Sequence, residues 1–264
     1  MGAVYIGTSG FSYAEWKGKF YPEDLPQRDW LSYYAERFDT VEINASFYAT
    51  IGKAQYKRWY DQTSKDFRFA VKGHRYITQM KKLHDINGAV KQFTNQTAGL
   101  GSKLTVILWQ FPRSFTLNTD NANEHKDRLR HLLDILPRDV QQAFEFRDLS
   151  WFTPEVQAIL DEHGASFVIS DSPKFPSREM FGKKFVYIRF HGPAALYGSK
   201  YSHAQLQDWT EKIYNFGRDR DVYCYFNNDL SGYAIENAQD LRDLLEKKGA
   251  HSKGGGPVIA GKLK

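Results

Sequence analysis

A chain of 264 residues, 41% hydrophobic and 16% aromatic, can bury a large core, and a single α/β barrel uses about that length. Its one cysteine, Cys224, excludes an internal disulfide and a cysteine-rich zinc site and fits a reducing compartment, so the cytoplasm is the expected location. A formal net charge of +5 favours anionic partners without choosing among them, no apolar run approaches the roughly 18 residues that span a bilayer, and the amino terminus shows no export signal or lipid anchor.

The first β-rich run, AVYIGTS, leads into GTSGFS at Gly7 to Ser12, a glycine-containing loop that could approach a ligand closely but lacks the Gly-x-Gly-x-x-Gly spacing of a dinucleotide fold. Helical periodicity over Trp30 to Phe38 precedes the strand TVEIN, and a second helix over Ala54 to Thr63 precedes FRFAVK. The basic segment KGHRYITQMKKLH, Lys72 to His84, mixes cations with Tyr76, as single-strand binders do; the plainer reading is a solvated loop and helix face. Further on, LTVILWQF, QAFEF, SFVIS, KFVYIRF and DVYCYFNN read as strands. Helices are predicted over Ala89 to Leu100, Ala122 to Leu136, Pro154 to His163, Ser202 to Gly217 and Tyr233 to Lys248. The link from Ser170 to Lys184 holds two prolines and little helical pattern. Strand and helix alternation through eight strands predicts an α/β fold, a TIM-type (β/α)8 barrel occupying residues 1–250 as a single domain, with an open doubly wound sheet as the alternative. Residues 251–264, containing SKGGGP, read as a mobile tail.

Polar residues gather where the strands run out, at the rim on which a parallel barrel carries its sites. Strand parity places Glu42 and Asn44 opposite Val41 and Ile43, and Lys72 opposite Phe69 and Val71. It likewise sends Glu145 with Arg147, Arg189 with His191, and Tyr225 with Asn227 to the barrel interior, while Gln110 and Asp171 end their own strands. Glu42, Lys72, Glu145, Arg147, Arg189 and His191 are therefore expected to meet around a cavity open to water; the alternative is a neutralised ion-pair network that fills the barrel. Lys72, Arg147 and Arg189 with nearby His74 and Arg75 outnumber Glu42, Glu145 and Asp171 when the histidine is partly charged, which favours an anionic ligand, with Ser9 and its turn as further donors. Glu145 is the expected general base, His191 its acid partner, and Glu42 the residue that orients a cation or hydroxyl. Lys72 would contact phosphate or, alternatively, form a Schiff base. No cofactor or metal is assigned, although Glu145, Asp171 and His191 could supply donors to a divalent ion. Rim aromatics Phe11, Tyr13, Trp16, Phe47, Tyr48, Trp109, Trp151 and Tyr197 could stack bases or sugars, or else form loop core. Cys224 shares its strand face with Phe226 and reads as a buried small residue. The leading expectation is an enzyme acting on a phosphate-bearing or other anionic small molecule, the alternative a nucleic-acid-binding protein with or without turnover; no membrane contact is expected, and no oligomeric state is assigned.

The motifs GTSGFSYAEWKGKFYP, FDTVEINASFY, FRFAVKGHRYIT, LWQFP, AFEFRDLSWF, SDSP, YIRFHG and YFNNDLSGYAIENA, in that order from Tyr5 to Ala238, resemble the YecE-like family, domain of unknown function 72. The resemblance implies a TIM barrel with shared residues at its strand ends and no settled activity; a kinship with barrel nucleases that act at damaged DNA has been suggested for the family. The positions that match the family pattern are Ser9, Glu42, Asn44, Lys72, Gln110, Glu145, Arg147, Asp171, Arg189, His191, Asn227, Asn228 and Asp229. The sequence departs from that pattern at Gln79 and Asp148, where family members often carry histidine, and near Ile51 and Gly52, where a proline is usual. The two missing histidines weigh against a zinc-nuclease reading of this chain.

Overall fold

In the computed structural model, which describes residues 1–230 and 232–250, every β-rich run forms a strand. These are β1 Val4–Thr8, β2 Thr40–Ile43, β3 Arg68–Lys72, β4 Leu104–Gln110, β5 Gln141–Glu145, β6 Ser166–Asp171, β7 Phe185–Phe190 and β8 Asp221–Phe226. They pair in parallel in the order β1-β8-β7-β6-β5-β4-β3-β2, and β1 approaches β2 to close the barrel. Buried on both faces, the strands need no polar alternation until they reach the rim, so their Val, Ile, Phe and Tyr runs are nearly continuous.

The crossover helices are α1 Trp30–Ala35, α2 Ala45–Tyr48, α3 Lys53–Asp61, α4 Asn87–Thr97, α5 Ala122–Ile135, α6 Pro154–Glu162, α7 His203–Phe216 and α8 Tyr233–Lys247. Local chemistry sets several of their starts. Thr153 accepts from the amide of Val156 ahead of Pro154 at the first turn of α6, and Ser202 and Gln205 form a reciprocal capping box on α7. Two features depart from a regular repeat. No helix lies between β6 and β7, where the two prolines of residues 172–184 stand. The basic segment after β3 holds a π-helix, Tyr76–Met80, followed by left-handed Lys82, Leu83 and Asp85.

The core divides at the sheet. Outside, the helices pack on Val41, Ile43, Phe69, Val71, Phe144, Ile188 and Cys224, with Cys224 buried as expected. Inside, Tyr5, Ala70, Val106, Leu108, Ala143, Val168, Tyr187, Tyr223 and Tyr225 fill the barrel floor. Above them the inward positions turn polar.

Where β1 meets β2 the backbone contributes little, a bridge between Ser9 and Glu42 and a bond from the Gly10 amide to the Glu42 carbonyl at 2.8 Å. Side chains complete the joint. The Tyr34 hydroxyl accepts from the Thr8 amide at 3.0 Å and donates to the Thr40 carbonyl at 3.1 Å. Gly7 lets the strands come this close, since a Cβ there would lie 2.1 Å from the Thr40 oxygen. Among the described residues no helix is long and apolar enough to cross a membrane. The segment 251–264, expected to be a mobile tail, lies outside the described residues.

Candidate functional site

The polar layer is built around Arg189, which β7 carries into the barrel two residues beyond Tyr187. Its Nε and Nη2 grip Glu42 at 3.0 and 2.8 Å, and its Nη1 donates to Glu145 Oε2 at 2.6 Å. All three side chains are buried. Glu42 also accepts from Ser9 Oγ at 2.7 Å and from the Tyr187 hydroxyl at 2.7 Å. Glu145 accepts from Gln110 Nε2 at 2.7 Å and from Arg147 Nε at 3.2 Å. Both carboxylates are thus saturated with charged or neutral donors, as buried carboxylates must be. Burial opposes ionisation of Glu145, but Arg189 and then Arg147 outweigh it and hold the carboxyl far below the usual range.

His191 is fully buried beside this network. Burial, and then the Arg189 charge, lower its pKa from 6.5 to about 3, so the ring is neutral at physiological pH. Arg189 Nη1 lies 3.5 Å from Nε2 and the Asn227 amide nitrogen 3.2 Å from Nδ1; both are donors, and the neutral ring, with one acceptor nitrogen, can accept from one of them.

Lys72 ends β3 with its ammonium 3.9 Å above the Phe47 ring, and among the described residues that ammonium donates no hydrogen bond. Burial, and then Arg189, lower its pKa from 10.5 to about 7; Glu145 and Glu42 pull the other way. Charge counting explains why the carboxylates fail to rescue it. The charges of Glu42 and Glu145 are already balanced by Arg189 and Arg147, so a protonated Lys72 is surplus. Arg147 is the member nearest to water, its side chain 19% exposed, and its guanidinium lies 3.7 Å from the centre of the Phe175 ring.

The structure therefore brings together Ser9, Glu42, Lys72, Gln110, Glu145, Arg147, Arg189, His191 and Asn227. They do not surround an open bowl, because Phe175 packs on Arg147 and on His191, Tyr197 packs on His191, and most of the layer is closed to solvent. Asn44 stands at the end of β2, its Oδ1 buried without a donor. Three expected residues lie apart. Asp171 points outward and accepts from the Trp209 indole of α7 at 3.0 Å, because it is one residue out of phase with the inward-facing Ser170. Asn228 ties the loop after β8 to the Ser199 carbonyl and to Asn237. Asp229 accepts from the Trp16 indole at 2.7 Å, and burial raises its pKa to about 7, the indole bond opposing.

Tyr187 and Ser170 escaped the sequence reading although parity was the available signal, since each lies on the inward face of its strand; Ser170 Oγ is buried without a partner. Of the rim aromatics, Trp16, Trp109 and Trp151 are core, whereas Tyr48 is exposed. Gln79 donates to the Gln110 carbonyl, and Asp148 accepts from Thr116 and from the Ser150 amide, so both departures from the family pattern serve local loop structure. Among the described residues no three His, Cys, Asp or Glu side chains are grouped so as to hold a metal ion.

Comparison with known proteins gives one consistent result. The UPF0759 protein YunF of Bacillus subtilis is 24% identical over 92% of this chain and 95% of its own length. The UPF0759 protein YecE of Escherichia coli is 24% identical over 94% of this chain and 96% of its own length. A DUF72 family protein of Thermotoga maritima, known from its crystal structure, superposes with a TM-score of 0.80 at 32% identity, covering 92% of this chain and 99% of that one. The family model for DUF72, a protein family of unknown function, matches residues 5–258, and with a polar layer built from the motif residues at its strand ends the chain belongs to that family.

Proposed function

We propose that the chain is an enzyme acting on a small phosphate- or carboxylate-bearing molecule at the carboxyl-terminal end of its barrel, with Lys72 exchanging the proton and Arg147 meeting the anionic group. The observation that carries this reading is the surplus lysine: a buried ammonium without an acceptor, next to a network whose own charges already cancel. An anion placed beside it would supply the missing counter-charge. A pKa of about 7 lets the same amine be taken up or released as ammonium at neutral pH, which is what a general base or acid needs.

The roles first assigned to Glu145 and His191 change on this reading. Glu145, held ionised by two guanidiniums, is a poor base, and it orients Arg189 and Arg147 instead. His191 stays neutral far below pH 7 and so has no proton of the required acidity to give; it serves as a hydrogen-bonding wall. Glu42 orients Arg189, with Ser9 and Tyr187 fixing its carboxylate.

The test is a titration of Lys72 itself. Reductive 13C-methylation makes lysine amines visible by NMR, and the Lys72 signal is assigned by its absence in Lys72→Arg. Its midpoint is expected near pH 7 in the free protein and higher when a phosphorylated or carboxylated compound that raises the melting temperature is bound. An ordinary lysine midpoint, or a ligand that leaves it unmoved, would defeat the assignment.

A further inference from the structure

Beside the polar layer runs a groove of about 630 Å3, bounded by the loops after β1 and β2 and by α3. Its walls are Phe11, Tyr13, Tyr48 and Trp59, with Arg28 and Arg58 at its edge, and no aspartate or glutamate lines it among the described residues. The groove starts where the polar layer stops. Gly10 follows Ser9, the Tyr13 hydroxyl donates to the Ser9 carbonyl at 2.5 Å, and Asn44, two residues beyond Glu42, stands between β2 and α2. Tyr48 is 63% exposed, while Phe11, Tyr13 and Trp59 pack against the core, Trp59 edge-on to Phe11 at 6.0 Å, and turn only part of their rings to the groove. Arg58 is steadied by Gln55 at 2.5 Å and carries no ion pair among the described residues.

These features specify a ligand. Aromatic walls and a guanidinium plane favour a flat heterocycle. The unmatched Asn44 Oδ1 calls for a hydrogen-bond donor, such as a ring N–H, an exocyclic amine or a sugar hydroxyl. The absence of acid favours an anion, and the volume exceeds what phosphate alone would need while lying within the range of small-molecule sites.

We propose that this groove holds the base and ribose of a nucleoside monophosphate whose phosphate reaches the Lys72 end of the polar layer. The proposal rests on the reading of that layer as an anion site and names its substrate class. Calorimetric titration of the whole chain with AMP, GMP, CMP and UMP, and with ribose 5-phosphate as the ring-free control, tests it. At least one monophosphate should bind about tenfold or more tightly than ribose 5-phosphate. Tyr48→Ala and Arg58→Ala, both at exposed positions, should remove that advantage and leave ribose 5-phosphate binding unchanged, while Tyr48→Phe should retain it. Lys72→Met should weaken both ligands alike.

Monophosphates that bind no better than ribose 5-phosphate, or that are indifferent to Tyr48→Ala and Arg58→Ala, overturn the groove and leave the anion site standing. Monophosphate binding sensitive to those two variants but indifferent to Lys72→Met supports the groove and removes the anion site. A single-stranded oligonucleotide bound about a hundredfold more tightly than any monophosphate overturns the proposal in favour of a strand. Absence of saturable binding by all five compounds at millimolar concentration ends both readings.

Discussion

Lys72 illustrates how a side chain can be costly to the fold and useful to the site. Its folded pKa, about 7, lies below the 10.5 of the free side chain, so between those values the unfolded chain binds a proton that the folded chain does not. The penalty is therefore fully present below pH 7, shrinks as pH rises, and is gone above about 10.5. Methionine has a similar shape and needs no counter-charge. Lys72→Met is expected to stabilise the protein, by an amount on the order of a few kcal/mol at pH 6, with the gain vanishing near pH 11. Urea unfolding of both proteins across that range checks the sign; a variant less stable at pH 6 would mean that the ammonium has a partner. Parity made Lys72 legible as an inward residue, as it did Glu42, Glu145 and Arg189. Their roles were not legible, because whether a carboxylate is a base or a clamp depends on how many donors reach it, and those donors come from distant strands.

Elements repeat this pattern, with local chemistry readable and long-range closure hidden. Strands were plain from unbroken β-branched and aromatic runs, and the longer helices from periodicity and caps. Four-residue α2 and the π-helix are too short to show a period, and in the sequence the π-helix is only part of a basic run with Tyr76. Nothing in the sequence marks the joint of β1 and β2 as weak in backbone bonds. There Tyr34, which by pattern is one more apolar residue of α1, replaces part of a ladder. Tyr34→Phe leaves a buried Thr40 carbonyl and Thr8 amide without that partner, and is expected to cost about 1–3 kcal/mol. Hydrogen exchange should show the loss first at the Thr8 amide. Unchanged protection there would mean that the strands hold without the hydroxyl.

At the scale of the whole molecule, barrel topology converts scattered residues into one layer, and this is why the motifs resembling a known family made the architecture, and most members of that polar layer, legible in the sequence. What stayed hidden was the cover. Phe175 comes from the stretch between β6 and β7, where its ring lies against the Arg147 guanidinium and edge-on to His191. Phe175→Ala should change global stability by no more than about 1 kcal/mol while exposing the Arg147 guanidinium. Peptide mapping after phenylglyoxal treatment should then find Arg147 labelled faster than in the parent protein; an equal rate would show that the ring does not shield it.

The helix missing between β6 and β7 leaves one crossover free of the geometric constraints that bind the others. Elsewhere a crossover carries a helix seated on the sheet, so a change of length is confined to the loops on either side of it. Met180 packs on the core and Glu179 pairs with Lys212, but Ser177 and Arg178 are exposed and outside any strand or helix, so chain can be added or exchanged there at little expense to strand register, re-forming the cover while the charged interior stays intact.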